Sequence, residues 1–200
     1  MPRSSSRGIN TRKLLDAHGA GKNHEVTAVL INQRIRQLCI QSAMVEPFNE
    51  ASVQPCSYDL HLGRQARLEG RDGFIDLDLS RYTPQAPLML SPGAFMLAES
   101  IEYIRLPDNV EAHLHLVSSR AREGLNHSLA GLIDCGYQGR PTLELKNILK
   151  YGSIPVYANL RIAQLTFFEY AENAVPAYRG RYFGDTHVSP AKNGQDLLHA

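Results

Sequence analysis

Val110-Glu111-Ala112-His113-Leu114-His115-Leu116, running directly into Val117-Ser118-Ser119-Arg120-Ala121-Arg122-Glu123-Gly124, is the stretch on which the fold turns. Val110, Ala112, Leu114 and Leu116 alternate with Glu111, His113 and His115. A period of two puts one set on each face of a pleated strand, so this is a strand with one buried side. The same alternation recurs on both sides of it. Tyr58, Leu60 and Leu62 alternate with Asp59 and His61 until Gly63, which reads as the end of that run. Thr142 to Asn147 and Leu160 to Tyr170 are rich in Leu, Ile, Thr and Phe and also read as strands. Arg71-Asp72-Gly73, Ser91-Pro92-Gly93, Pro107-Asp108-Asn109 and Tyr151-Gly152-Ser153 supply the turns between them. Many short strands at this spacing imply a mainly β sandwich, jelly roll or barrel.

One segment carries the other period. Between Val26 and Ser42, Ile31, Ile35, Leu38 and Ser42 fall at steps of three and four, which predicts a short N-terminal helix with Asn32 as N-cap and Pro47 marking the exit. Residues 1–25 hold Arg3, Arg7, Arg12 and Lys13 among serines with little to bury, and read as a flexible basic tail. Residues 26–174 form the β domain. From Val175 to Ala200 the alternation fades into Arg, Tyr, Gly and polar residues, as in a tail or lid that closes over something.

The 200 residues suit one domain with a sizeable core. Twenty-one basic against twenty acidic side chains leave +1, which argues against a nucleic-acid polymer or a membrane as partner. No apolar run is long enough to span a bilayer. Cys39, Cys56 and Cys135 are odd in number and form no C-x-x-C pair, so neither a disulfide framework nor a Cys-rich zinc site is expected, and a cytoplasmic setting is the default.

Four groups carry possible chemistry, each with a plainer alternative. Glu111, His113 and His115 share a strand face. They suit a metal, or simply a solvated or subunit-facing surface; the next Glu, Glu123, falls too far on for the usual His-x-His plus Glu site. Ser118, Ser119, Arg120 and Arg122 end a strand and enter a turn, an arrangement fit for phosphate oxygens or for a charged loop in water. Asp134, in Ile133-Asp134-Cys135-Gly136-Tyr137-Gln138-Gly139, either shapes a tight turn or accepts a sugar hydroxyl. Glu144 faces opposite to Leu143 and Leu145. It is either a surface residue beside Lys146 or a pocket carboxylate whose pKa burial raises, suited to moving protons.

Taken in order, these pieces form a pattern. Val53-Gln54-Pro55-Cys56-Ser57-Tyr58-Asp59-Leu60-His61-Leu62-Gly63, then Ser118 to Leu125, Ala130 to Gly139, Thr142-Leu143-Glu144, Leu160 to Leu165 and Tyr178-Arg179-Gly180-Arg181-Tyr182-Phe183-Gly184-Asp185 resemble the dCTP deaminase family of the dUTPase-like superfamily. The resemblance covers roughly Leu30 to Ser189. It implies a distorted jelly-roll or β-barrel of the dUTPase-like type with a short N-terminal helix, assembled as a homotrimer with active sites between subunits. The implied reaction is hydrolytic deamination of dCTP to dUTP and ammonia, which feeds dTTP synthesis. It implies no zinc, in keeping with the missing H-x-E and P-C-x-x-C pattern of zinc deaminases. Mg2+ is implied only as the companion of the triphosphate.

Roles follow by position. Glu144 matches the family's general base and acid. Ser118 and Arg122 match its catalytic and phosphate-binding Ser and Arg, within a binding stretch Val117, Ser118, Ser119, Arg120, Ala121 and Arg122. Asp134 matches the residue that holds the deoxyribose 3′-hydroxyl. Thr142 and Leu143 flank Glu144 in the binding site. Tyr178, Arg181 and Asp185 fall where the tail closes over base and triphosphate. Three departures stand out. Arg120 replaces an apolar residue and is expected to face outwards. The base-reading stretch Leu125 to Asp134 is one residue short. Asp185 replaces a Gln and brings a carboxylate towards a triphosphate, which is unfavourable unless magnesium or an Arg screens it. Competing readings on the same fold are a bifunctional enzyme taking dCTP to dUMP, a dUTPase, a modified-dCTP deaminase and a non-catalytic nucleotide-binding regulator.

Overall fold

The computed structural model describes residues 26–128 and 130–192. The basic tail expected over residues 1–25 and the last eight residues of the chain lie outside the described residues. Among the described residues, fifteen strands, all paired antiparallel, carry the fold: β1 (Val26–Val29), β2 (Val45–Glu46), β3 (Val53–Gln54), β4 (Ser57–Gly70), β5 (Gly73–Asp78), β6 (Leu88–Leu90), β7 (Phe95–Ser100), β8 (Tyr103–Arg105), β9 (Val110–Leu116), β10 (Leu125–His127), β11 (Leu132–Ile133), β12 (Gln138–Gly139), β13 (Thr142–Asn147), β14 (Ile154–Val156) and β15 (Arg161–Tyr170). The main sheet runs β10-β13-β7-β4-β15-β9-β11. β1 adds to β15, and β3 and β5 add to β4. Two smaller sheets, β12-β8-β2 and β14-β6, complete the mainly β jelly-roll expected from the alternation.

The alternating strands bury the faces that the pattern predicts. Val110, Ala112 and Leu114 of β9 are buried, as are Leu143 and Leu145 of β13, and they join Tyr58, Leu60, Leu62, Met96, Ile162 and Phe167 in one core. Glu111 and His113 on the other face of β9 stay half-exposed, and His115 is exposed. The four turn signals all separate strands. Arg71-Asp72 closes the β4–β5 hairpin, with Gly70 paired to Gly73.

Two boundaries differ from the sequence reading. The helix spans Asn32–Ser42, not Val26–Ser42, and Asn32 lies inside it; Ile31 is the N-cap and makes no side-chain capping bond. Val26-Thr27-Ala28-Val29 is β1. Beyond Leu165, β4 no longer pairs with β15, and β1 takes that edge, matching Val26 to Tyr170 and Val29 to Phe168. The β-branched valines suit this extended edge. Ile35, Leu38 and Cys39 form the buried face of the helix, whereas Ile31 is 53% exposed. Burial pushes the Cys39 thiol up to about 11.

Gly63 does not end β4, which continues to Gly70. A Cβ there would sit 2.5 Å from Cγ of the buried Glu99 side chain. The β4–β7 pairing shifts register between Leu62 and Ala66. The glycine therefore marks a bulge and a close backbone approach. No helix among the described residues is long and apolar enough to cross a membrane.

Candidate active site

β13 positions the central group. It pairs with β7 on one edge, Glu144 opposite Leu97, and with β10 on the other. Leu143 and Leu145 point into the core, so Glu144 points the opposite way, into a cavity of about 570 Å3. That volume is in the range of small-molecule sites. Phe74, Phe95, Leu97 and Leu132 give the cavity apolar walls, and Asp134, Thr142 and Glu144 give it polar groups. Burial among these walls raises the Glu144 pKa above its ordinary value. The pocket-facing reading of Glu144 is thus the one the structure adopts.

The turn Asp134 to Tyr137 forms a second side. Tyr137 N donates to Asp134 O at 3.1 Å, and Gly136 takes a positive φ of 79°. This holds the exposed Asp134 at the cavity rim and buries Tyr137 beneath it. The stretch Leu125 to Asp134, expected to read the base, holds β10 and β11, with Gly131 between them. A Cβ on Gly131 would lie 2.7 Å from Leu114 O.

The C-terminal segment supplies the remaining wall. Its described residues, 175–192, form no strand and are docked onto the body through their backbone. Tyr178 N donates to Cys135 O at 2.9 Å, Gly184 N to Gln138 O at 2.7 Å, and Arg140 N to Asp185 O at 2.7 Å. The Tyr178 and Tyr137 rings lie 5.9 Å apart. Tyr178, Tyr182, Asp185 and Ser189 reach the cavity, and Ser189 N donates to Thr142 Oγ1 at 3.1 Å.

One cavity therefore collects Asp134, Thr142, Glu144, Tyr178 and Asp185. It does not collect the stretch Ser118 to Arg122, for which phosphate binding was the expectation. Ser118, Ser119 and Arg122 lie on a five-residue helix, Ser118–Arg122, rather than in a plain turn, and are exposed away from the cavity. Arg181 is half-buried in the tail and does not line the cavity. Val117 and Leu143 have buried side chains and do not line the cavity. Ala121 is exposed and borders a second hollow of about 750 Å3, where Glu111, His113, His115 and His127 gather. Arg120 departs from expectation. Its side chain is only 18% exposed and pairs with Glu123 at 2.8 Å, because an i,i+3 spacing brings the two together. Among the described residues, no three His, Cys, Asp or Glu side chains converge to hold a metal ion.

The sequence reading missed Tyr137, Arg140, Tyr182 and Ser189 at the cavity. Tyr182 stood in the quoted tail motif, and its place beside Arg181 was the available signal. Tyr137 stood in the quoted turn beside Asp134, whereas Arg140 and Ser189 reach the site through packing between distant segments.

The family model described as dCTP deaminase-like matches residues 29–170. The chain belongs to this family. Among curated relatives of this dCTP deaminase-like chain, "dCTP deaminase, dUMP-forming" of Leifsonia xyli subsp. xyli is 38% identical over 162 residues, 76% of this chain and 78% of the relative. The "dCTP deaminase" of Thermococcus sibiricus is 34% identical over 164 residues, 82% and 97% of the two chains. In fold, the chain is similar to the crystal structure of 2′-deoxycytidine 5′-triphosphate deaminase from Agrobacterium tumefaciens. The TM-score is 0.61 at 23% identity, over 72% of this chain. The present chain spans about half of that solved chain, 49%. The dUTPase-like jelly-roll expected from the sequence is therefore the fold of this dCTP deaminase-like chain.

Proposed function

We propose that this chain hydrolyses dCTP to dUTP and ammonia. The observation that carries this reading is Glu144, half-buried in an apolar-walled cavity with its pKa raised, in company with Asp134 and Tyr178. A base poised by desolvation takes a proton from water as the water oxygen bonds to C4 of the cytosine ring. The same carboxyl gives that proton to N3, then takes the proton of the new C4 hydroxyl and passes it to the departing amine. The C4–N bond breaks, ammonia leaves, and the ring carries a carbonyl at C4. Asp134 at the rim accepts the sugar hydroxyl, and the tail closes over base and phosphates, with Tyr178 on the base side and Arg181 and Asp185 towards the phosphates.

Ser118 and Arg122 complete the site from a neighbouring copy. Their exposure, and their distance from the Glu144 cavity of their own chain, support a homotrimer with sites between subunits. Arg122 then brings a permanent charge to the phosphates. Magnesium enters paired with the triphosphate, and the deamination step needs no zinc. Three unpaired cysteines suit a reducing cytoplasm.

A second reading, that the chain carries dCTP through to dUMP, is favoured by relatives whose names say dUMP-forming, in Leifsonia xyli and Hydrogenobaculum among others. One experiment separates the two. Pure protein is incubated with dCTP and with dUTP, and ammonia and pyrophosphate are measured. Ammonia alone from dCTP supports the first reading. Equal ammonia and pyrophosphate from dCTP support the second. Pyrophosphate from dUTP without ammonia from dCTP sinks both in favour of a dUTPase, and silence towards both nucleotides favours a non-catalytic binder.

A further inference from the structure

We propose that Lys192 is a positioning residue of this site, acting through Asp185. The proposal rests on the reading above that the nucleotide phosphates lie under the tail. Asp185 reaches the cavity with its side chain only 19% exposed. Its charge is felt there: burial first, and then Asp185, push the Tyr137 phenol well above its ordinary range. A carboxylate so placed repels an approaching triphosphate, and the low dielectric of the cavity strengthens the repulsion.

Lys192 removes that obstacle. Its ammonium donates to Asp185 Oδ1 at 2.8 Å and to Oδ2 at 3.0 Å, and to Arg181 O at 3.1 Å. All three of its protons are thus engaged. The ammonium also sits 5.1 Å from the centre of the Tyr182 ring. The pair is neutral, and it closes the loop between Asp185 and Lys192. That loop carries Ser189, whose N–H reaches Thr142 Oγ1, two positions before Glu144. The latch therefore does two things at once. It cancels the negative charge at the phosphate side of the cavity, and it seats the loop beside the strand that carries Glu144.

The test uses the full chain with Lys192→Met, Lys192→Arg, Asp185→Asn and the double variant Asp185→Asn/Lys192→Met. Steady-state ammonia release from dCTP gives KM and kcat at low and high salt. Lys192→Met is expected to raise KM about tenfold at low salt, with a smaller loss in kcat. High salt narrows the gap, because the unpaired carboxylate is partly screened. Lys192→Arg keeps KM near that of the parent protein. The double variant returns KM to within about threefold of Asp185→Asn alone, since no charge is left to neutralise. Chymotrypsin digestion without nucleotide reads the latch independently of activity. Lys192→Met is cut faster after Tyr178, Tyr182 and Phe183 than the parent protein, and Lys192→Arg is not. An unchanged KM in Lys192→Met, or a double variant as impaired as Lys192→Met, overturns the proposal. If the parent protein releases no ammonia from dCTP, the functional reading fails. The digestion then decides the latch alone, and equal cutting of all variants refutes it.

Discussion

Replacing Glu144 by Gln separates chemistry from stability in one substitution. Gln keeps the length and shape of the side chain and removes its ability to hold and release a proton. Loss of a general acid–base costs at least ~10²-fold in rate, or about 2.7 kcal/mol of barrier. Folding stability moves the other way. Burial raises the Glu144 pKa, so the folded state holds that proton more tightly than the unfolded chain does. A carboxyl shifted in this direction contributes stability that is fully present below its unfolded pKa and is lost as pH rises through the folded value. At pH 8 the native protein carries the full burden of a partly desolvated charge, and at pH 4 it carries little. Glu144→Gln is therefore expected to melt at the same or a higher temperature than the parent at pH 8, while ammonia release from dCTP collapses. Acidification of the parent is also expected to cut activity at a higher pH than an ordinary Glu would allow. Ammonia release and thermal melts at the two pH values provide the assay. Near-normal turnover refutes the assignment. A clear drop in melting temperature at pH 8 refutes the electrostatic argument, because it shows a carboxylate that contributes to folding rather than one held at a cost.

Other outcomes follow from the same geometry. Arg122→Ala is expected to weaken triphosphate binding and catalysis together; mixed with Glu144→Gln subunits after reversible dissociation, it regains activity if the site spans two copies, and stays dead if each chain works alone. Glu102→Leu leaves the His61 N–H, now donated to Glu102 at 3.0 Å, without its partner, at a cost of about 1–3 kcal/mol. The Glu102 hydrogen bond raises the His61 pKa, so that contribution is fully present below about 6.5 and fades as pH rises through the folded value. The melting deficit of Glu102→Leu should shrink between pH 6 and pH 9. Truncation after Ala174 is expected to leave the core folded, since the last strand ends at Tyr170, and to abolish activity; an unfolded product in a circular-dichroism melt, or full activity, contradicts this.

Much of the fold was legible because most strands bury only one face. β9 and β13 announce themselves by strict alternation, but alternation leaves Glu144 either at the surface beside Lys146 or in a pocket, and it is the cavity, closed by distant segments, that decides. β1 was hidden, because no turn residue separates Val29 from the helical pattern that follows and its partner Tyr170 lies far along the chain. Gly63 misled for a similar reason. A glycine in an alternating run looks like a stop, yet its cause is the side chain of Glu99 on another strand. In the site, Asp134, Glu144 and Tyr178 came from the resemblance to the dCTP deaminase family, since by residue type alone Asp134 also suits a turn and Glu144 a surface. Arg140 gave no signal, since only packing between distant segments brings it to the cavity, and Lys192 gave none, since its pairing with Asp185 exists only in the folded tail. Arg120 was misjudged because the turn it was assigned to is a helix, and a helix offers it Glu123.

The most direct measurement of the central claim is the fate of the water oxygen. Protein and dCTP are incubated in water enriched in oxygen-18, and the product nucleotide is examined by mass spectrometry after removal of its phosphates. The account predicts one heavy oxygen in the base at C4 for each ammonia released, in the parent protein and not in Glu144→Gln. Unlabelled base, or label appearing equally in both proteins, contradicts it.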